Sequence, residues 1–471
     1  MSPQSSARTG STGGSPRSAR RVAVIGSGVA GLVAAHVLAR ESHVTLLEAD
    51  DRLGGHADTH EVSLGDRTDR KINVDTGFIV HNDRTYPTLL RLFGELGVET
   101  QDSDMSMSVR DDETGLEYAG AKGARGLFPR ARNLANPAYL RMLLEVKRFH
   151  RAARGVLETP EDASVADETL AQFVERVGFS DYFATYFLGP VVAAVWSCDP
   201  AVALQYPARY LFTFLDHHGM LTVFGSPTWR TVVGGSARYV EKVSVGIQEI
   251  RTSSPVTSVR ETIDGVVVES ASGTDTFDAV VIATHPATAL RMLAEPTAVQ
   301  SEILGAMPYS ANVAQLHTDE SVLPRSAGAR ASWNYLRRPA GTESGTVLMS
   351  YDMTRLQRLD TTGPLVTDRR FIVTLGGEDL IDPSLVIETM HYEHPLYSPE
   401  SVAAQRRLPE IRTERLAFAG AYHGWGFHED GALSGLRAAE HLGASWDAPR
   451  RTDLSERPLV AVEDDREMAA T

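Results

Sequence analysis

Arg21-Val22-Ala23-Val24-Ile25-Gly26-Ser27-Gly28-Val29-Ala30-Gly31 is the stretch whose reading decides the fold. Its first five residues are a short apolar run with the character of a buried strand, and the glycines follow without a spacer. Leu32 to Arg40 then recurs with helical spacing. Val44-Thr45-Leu46-Leu47 is a second strand, ending at Glu48. Strand, glycine turn, helix, strand and acid is the order of a dinucleotide-binding unit. Gly26 permits the tight turn, Gly28 lets backbone approach a pyrophosphate, and Gly31 lets the helix pack closely on the strand. Val29 and Ala30 belong to the turn and count as cofactor-binding candidates with its glycines, and the free N–H groups and positive dipole end of the helix that follows suit the phosphates. Glu48 is placed to accept from ribose hydroxyls. A plain glycine-rich structural turn is the competing reading, and the acid closing the second strand weighs against it.

The residues after Glu48 separate one dinucleotide from another. Ala49-Asp50-Asp51-Arg52-Leu53-Gly54-Gly55-His56 supplies a short gap, an arginine that pairs with a pyrophosphate, and a double glycine that removes side chains where a second cofactor segment passes. This pattern resembles the flavin amine oxidase superfamily and favours FAD over NAD. Later segments agree in order and spacing. Asp75-Thr76-Gly77-Phe78 looks like the family segment that passes the flavin ring, and Gly234-Gly235-Ser236 like its double-glycine turn. Ser254-Pro255-Val256-Thr257 looks like the strand whose backbone meets the adenine. Phe277 to Thr284 reads as a buried strand. Leu416 to Gly420 is another, leading to Glu429-Asp430-Gly431-Ala432 and Ser434-Gly435 and then a helix through Arg437. The resemblance implies that this last turn sets a helix N-terminus against the flavin, with Gly420, Asp430, Gly431 and Ala432 at the cofactor. For Asp430 a helix-capping role stands beside a ribityl contact.

More specific strings narrow the resemblance. Gly54-Gly55-His56-Ala57-Asp58-Thr59, Trp196-Ser197-Cys198, Trp333-Asn334-Tyr335 and Gly420-Ala421-Tyr422-His423-Gly424 are similar to a bacterial group of NAD/FAD-binding proteins. That group resembles the FAD-containing N-terminal half of plant cyclopropane fatty acid synthases, which implies a lipid connection. The chain also departs from the amine oxidases. Those enzymes commonly hold a lysine near the flavin in their later half, whereas the lysines here are Lys71, Lys122, Lys147 and Lys242. Ala421 stands where the family usually has an acid. Cys198 is far from any flavin motif, so the FAD is expected to be non-covalent.

A flavin carries the hydride chemistry itself, and the protein positions substrate, excludes water and moves protons. Histidine is the usual proton carrier near neutral pH. His56, His423 and His428 are the catalytic candidates, with His285 at the ligand edge of the sheet; each has the alternative of only hydrogen-bonding backbone or cofactor. Tyr422 and Trp425 are either walls of the ring pocket or ordinary core aromatics. Cys198 reads as inert core rather than as a nucleophile.

The 471 residues carry a formal net charge of −15, 42% hydrophobic and 23% charged residues, and one cysteine. An acidic chain is not a general nucleic-acid binder, and a lone cysteine permits neither an internal disulfide nor a multi-cysteine metal centre. No metal site is expected. No apolar run is long enough for a transmembrane helix. Arg20-Arg21 before an apolar run imitates a twin-arginine signal, but those residues spell the nucleotide turn and no small-residue cleavage site follows. The expected fold is α/β: a Rossmann-type FAD-binding domain from 20–85, 230–292 and 412–445, interleaved with an α+β substrate domain from 86–229 and 293–411. Residues 1–19 and 446–471 read as polar tails. Between Lys122 and Arg154 nine basic residues face one acid, Glu145, and Tyr139, Met142, Leu143, Val146 and Phe149 recur at helical spacing. That stretch reads either as a membrane-surface helix or as a helix packed on the substrate domain. The function expected is an FAD-dependent oxidoreductase acting on a lipid or fatty-acyl chain in the cytoplasm or at the inner membrane surface. The alternatives are an oxidase or desaturase of another small molecule, and a non-catalytic FAD-binding partner of a lipid methyltransferase.

Overall fold

The protein is described by a computed structural model that covers residues 19–64, 70–160, 168–196, 202, 204–222, 226–339, 348–359 and 369–449. The strand Arg21–Ile25 sits at the centre of a five-stranded parallel sheet. His43–Leu47 and Ala279–Ile282 flank it, and Glu249–Arg251 and Leu416–Phe418 form the edges. The inner strands are buried on both faces, as a parallel sheet covered by helices requires. The helix between the first two strands runs Val29–Leu38 and has every residue buried. It starts three residues before the expected Leu32, because the chain turns helical as soon as Gly28 has opened the turn.

Further strands depart from the sequence reading in informative ways. Phe277 ends a hairpin strand, Gly273–Phe277, and the sheet strand begins only at Ala279. The last helix is His428–His441, so Glu429, Asp430, Gly431, Ala432, Ser434 and Gly435 lie inside it rather than in a turn before it. Its glycines face the first helix. A Cβ on Gly431 would come within 2.6 Å of Val29 Cγ1, and one on Gly435 within 2.1 Å of the Ala30 carbonyl oxygen. The two helices touch through these bare positions.

A seven-stranded mixed sheet forms the second layer system, in the order Val386–Pro395, Tyr309–His317, Ile372–Leu375, Met349–Asp352, Trp333–Arg337, Met107–Asp111 and Glu117–Ala119. The region before Trp229 is mainly helical, yet it contributes the last two of these strands. Helices Pro137–Glu158, Leu170–Val177, Gly189–Trp196 and Ala208–His217 share one core with this sheet. Tyr139, Met142 and Phe149 are buried in that core. The face that carries Tyr139, Met142 and Phe149 is therefore packed against protein, the second of the two readings the sequence allowed, since ring-on-ring packing of Phe149 with Phe173, Phe183 and Phe212 covers it. No helix among the described residues is long and apolar enough to cross a membrane. Cys198, Ser197 and most of the two terminal tails lie outside the described residues.

Candidate active site

The glycine turn is held open from below. Gly26 adopts a φ of 97°, a conformation that L side chains rarely adopt, and a Cβ on Gly31 would lie 1.8 Å from the Gly26 carbonyl oxygen. Gly28 differs: a Cβ there meets nothing within 4 Å, because it faces a cavity. Glu48 pins the turn from the next strand. Its carboxylate accepts the Ser27 N–H at 2.7 Å, the Ser27 hydroxyl at 2.5 Å and the Asp50 N–H at 3.0 Å.

The cavity has a volume of about 590 Å³ and runs continuously from this turn into the mixed-sheet region. At one part it is lined by Gly26 to Ala30, Glu48, Ala49, Gly55 and His56, with Thr76, Gly77 and Phe78 alongside. Gly420, Ala421 and the N-terminal end of the last helix, Gly426 to His428, close it. A helix N-terminus there offers unpaired N–H groups and a positive dipole end. Elsewhere the wall is apolar and aromatic: Ile79, Met105, Ala194, Trp196, Phe214, Met220, Trp229, Trp333, Tyr351 and Leu375.

Imidazoles gather on the same cavity. The His56 ring lies 5.0 Å from Tyr392, 5.5 Å from His394 and 6.4 Å from His285, centroid to centroid. Burial, then the neighbouring rings of His394 and His285, hold His56 well below its ordinary value, so it is neutral. Its buried Nε2 has no hydrogen-bond partner among the described residues. Burial pushes His394 down to about 4. His285 meets the Glu393 carboxylate at 2.7 Å and stacks on Tyr309 at 4.4 Å. The Tyr392 hydroxyl donates to Asp58 at 2.8 Å. Burial alone would raise Asp58, but the hydrogen bond from His60, the Arg52 charge and the Tyr392 hydroxyl outweigh it and keep its carboxyl below the usual range.

Several candidates do not reach the cavity. Gly31 and Gly54 shape the turns behind it: a Cβ on Gly54 would strike the Ala57 carbonyl at 2.5 Å. The Arg52 guanidinium is turned onto Asp58 at 3.0 Å and the Gly55 carbonyl at 3.0 Å. Val256 begins a separate three-stranded sheet. His423 is tucked against Tyr422, with a buried Nε2 that lacks a partner. Tyr422 and Trp425 also stay off the cavity, Trp425 packing on Tyr210 and His217. Asp430 accepts the Phe427 N–H at 2.9 Å, the helix-capping role expected of it. Burial raises it to about 7. Gly431 and Ala432 face the first helix. Conversely, Tyr392 and His394 line the cavity although the sequence reading missed them. The alternation in His391-Tyr392-Glu393-His394 is a strand signal that puts Tyr392 and His394 on one face.

A parallel sheet bearing this glycine turn and acid, joined to a mixed sheet over one cavity, defines the class of dinucleotide-binding redox folds. The chain belongs to the flavin containing amine oxidoreductase family, whose model matches residues 29–443. It is 27% identical to the Mycobacterium tuberculosis protein AofH, described as a flavin-containing monoamine oxidase, over 56% of this chain and 57% of that one. It is 29% identical to the flavin-containing amine oxidase A of Equus caballus over 53% of this chain and 46% of that one. The chain thus spans about half the length of the curated relatives it matches. Among solved structures, cyclohexylamine oxidase from Brevibacterium oxydans superposes with a TM-score of 0.64 at 17% identity, covering 90% of this chain and 98% of that one. A fatty acid isomerase from P. acnes superposes with a TM-score of 0.61 at 15% identity, covering 88% and 97%. These likenesses fix the α/β fold, a parallel Rossmann-like sheet with a mixed substrate-domain sheet.

The residues present fit a flavin dinucleotide. Gly28 leaves open space at the turn, the first amides of the helix behind it have no acceptor one turn earlier in that helix, and the Glu48 carboxylate stands beside the turn.

Proposed function

We propose that the chain binds FAD non-covalently and exchanges a hydride with an apolar substrate, a lipid or fatty-acyl chain. The observation that carries this reading is the wall from Ile79 and Met105 to Trp333 and Leu375, which presents apolar and aromatic side chains and no ionised group. An alkyl chain gains by entering such a wall, roughly 25 cal/mol for each Å² removed from water. A small ammonium substrate loses its hydration there and recovers only part of that cost by contact with the aromatic faces. The absence of lysine beyond Lys242 points the same way, as does the narrower resemblance to the FAD-containing half of plant cyclopropane fatty acid synthases. The fold itself is neutral, since it houses amine oxidases and a fatty acid isomerase alike.

When bound, FAD supplies a ring that accepts or returns a hydride. The residues have separate tasks around it. The backbone N–H groups from Gly28 to Ala30 would face the pyrophosphate, since those of Gly26 and Ser27 are already held by Leu47 and Glu48, and Glu48 would accept from the adenosine ribose. Phe78 and His428 set a planar wall. The imidazoles of His56 and His394, kept neutral by burial, would serve as uncharged hydrogen-bond partners to the substrate or the ring, His56 through its unpartnered Nε2. The aromatic wall excludes water from the reacting carbon.

Anaerobic flavin absorbance of the FAD-loaded protein tests the reading, with phospholipid extract, free fatty acids, simple amines and NAD(P)H added in turn. Bleaching by lipid or fatty acid is the expected result. Bleaching by amines instead would overturn the substrate assignment. A flavin that no addition reduces would favour the non-catalytic partner of a lipid methyltransferase.

A further inference from the structure

The helix Pro137–Glu158 has a second apolar feature that its packing leaves uncovered. While Tyr139, Met142 and Phe149 are buried, Leu140 is 38% exposed and Leu144 70% exposed. Leu134, which ends the short helix just before it, is 58% exposed. Lys147 and Arg151 are exposed on the same helix. Positions 140, 144, 147 and 151 recur at the helical period, so they form one stripe in which two leucines run into two cations.

The surrounding charge is one-sided. Lys122 to Arg154 holds nine basic residues, in a chain whose net charge is −15. The single acid in that stretch, Glu145, is turned inward. Its carboxylate accepts the Ser180 hydroxyl at 2.5 Å and amide at 3.2 Å and pairs with Arg141 at 3.2 Å. The packed turn Asp181–Phe183 adds one exposed acid, Asp181, and the helix itself ends on another, Glu158, so the basic residues still outnumber the acids on this face.

We propose that this stripe docks the protein on an anionic phospholipid bilayer. The leucines enter the boundary between headgroups and acyl chains, and the cations meet lipid phosphates. The combination selects this occupant. An acidic protein partner accounts for the cations but does not call for leucines held in water, and an uncharged bilayer accounts for the leucines alone. The proposal stands on the stripe and not on the substrate reading, so either survives the failure of the other.

Flotation of the FAD-loaded full chain with vesicles tests it, using phosphatidylcholine with and without phosphatidylglycerol at low and high salt. Binding is expected to the phosphatidylglycerol vesicles and to weaken as salt rises. The double variant Lys147→Glu/Arg151→Glu should weaken it by about tenfold or more. Leu140→Ser/Leu144→Ser should weaken it by about tenfold at constant salt. All four positions are exposed, so bound flavin and the unfolding temperature should match the parent in both variants. No binding to anionic vesicles at low salt would overturn the proposal. So would binding that the leucine pair leaves unchanged, since charge alone would then explain it and an acidic partner would fit equally well.

Discussion

The imidazole of His428 lies face to face with the phenyl ring of Phe78, centroids 3.7 Å apart and planes 8° from parallel. The two residues come from the first and last portions of the chain, and both line the cavity. His428 shares a hydrogen bond of 2.9 Å with the Tyr239 hydroxyl. Burial, then the neighbouring His81, pushes it down to about 3, so the stacked ring is uncharged. His428→Ala removes the stack and leaves Tyr239 without its partner. It should cost about 1–3 kcal/mol of stability, read by chemical denaturation. His428→Phe keeps the stack and should recover part of that loss; equal losses in both variants would show that the stack contributes nothing.

Two glycine substitutions should separate binding from folding. Gly28→Ala places a methyl group in the open cavity and meets no protein atom, so the unfolding temperature of the flavin-free protein should hold. Flavin affinity should fall by about tenfold or more, because the methyl occupies the phosphate approach. Gly435→Ala drives a Cβ to within 2.1 Å of the Ala30 carbonyl and forces the helices apart. A loss of roughly 3 kcal/mol is expected, in the range of core overpacking. Denaturation and flavin titration on both variants check the contrast.

Glu429 reaches across the chain to cap another helix. Its two carboxylate oxygens accept the N–H groups of Thr88 at 2.9 Å and Leu89 at 3.0 Å, at the start of helix Pro87–Leu96. Glu429→Ala should lower stability by about 1–3 kcal/mol, with two buried donors left unpaired. An unchanged denaturation midpoint would count against the cap.

Acid should destabilise the fold below about pH 6.5. Burial holds His81, His218, His317, His394 and His423 down to about 4, and His428 to about 3. An unfolded chain binds these protons near the ordinary value of 6.5, while the folded chain resists them until about 4. The stability they provide is therefore complete above 6.5 and is lost as pH falls. Asp75, raised to about 6, and Asp430, raised to about 7, act in the opposite sense. The folded chain keeps their protons where the unfolded chain has released them, so their contribution exists at low pH and disappears as pH rises. The more numerous imidazoles prevail, and denaturation midpoints should drop from pH 6.5 to 4.5. Asp430→Asn keeps an acceptor for the Phe427 N–H and should raise stability at pH 8 by about 1 kcal/mol.

The sequence by itself determined the dinucleotide unit. Residues Arg21 to Glu48 are contiguous, and strand burial, a left-handed glycine and a helix start are set by near neighbours. It also determined the α/β class, because apolar strands spaced by helical runs have few packing solutions. Only the tertiary structure decided which polar groups share the cavity. Tyr392 and His394 meet His56 because the register of Tyr309–His317 against Val386–Pro395 carries them there. No local signal encodes that distance. The same holds for Gly431 and Gly435: a glycine pair reads as a turn until the partner helix is known, and here its bare face is what lets Ala30 approach. In Pro137–Glu158 the periodicity predicted a helix, but periodicity shows that a face is apolar and not what covers it. Packing assigned Tyr139 and Phe149 to the core and left Leu140 and Leu144 in water.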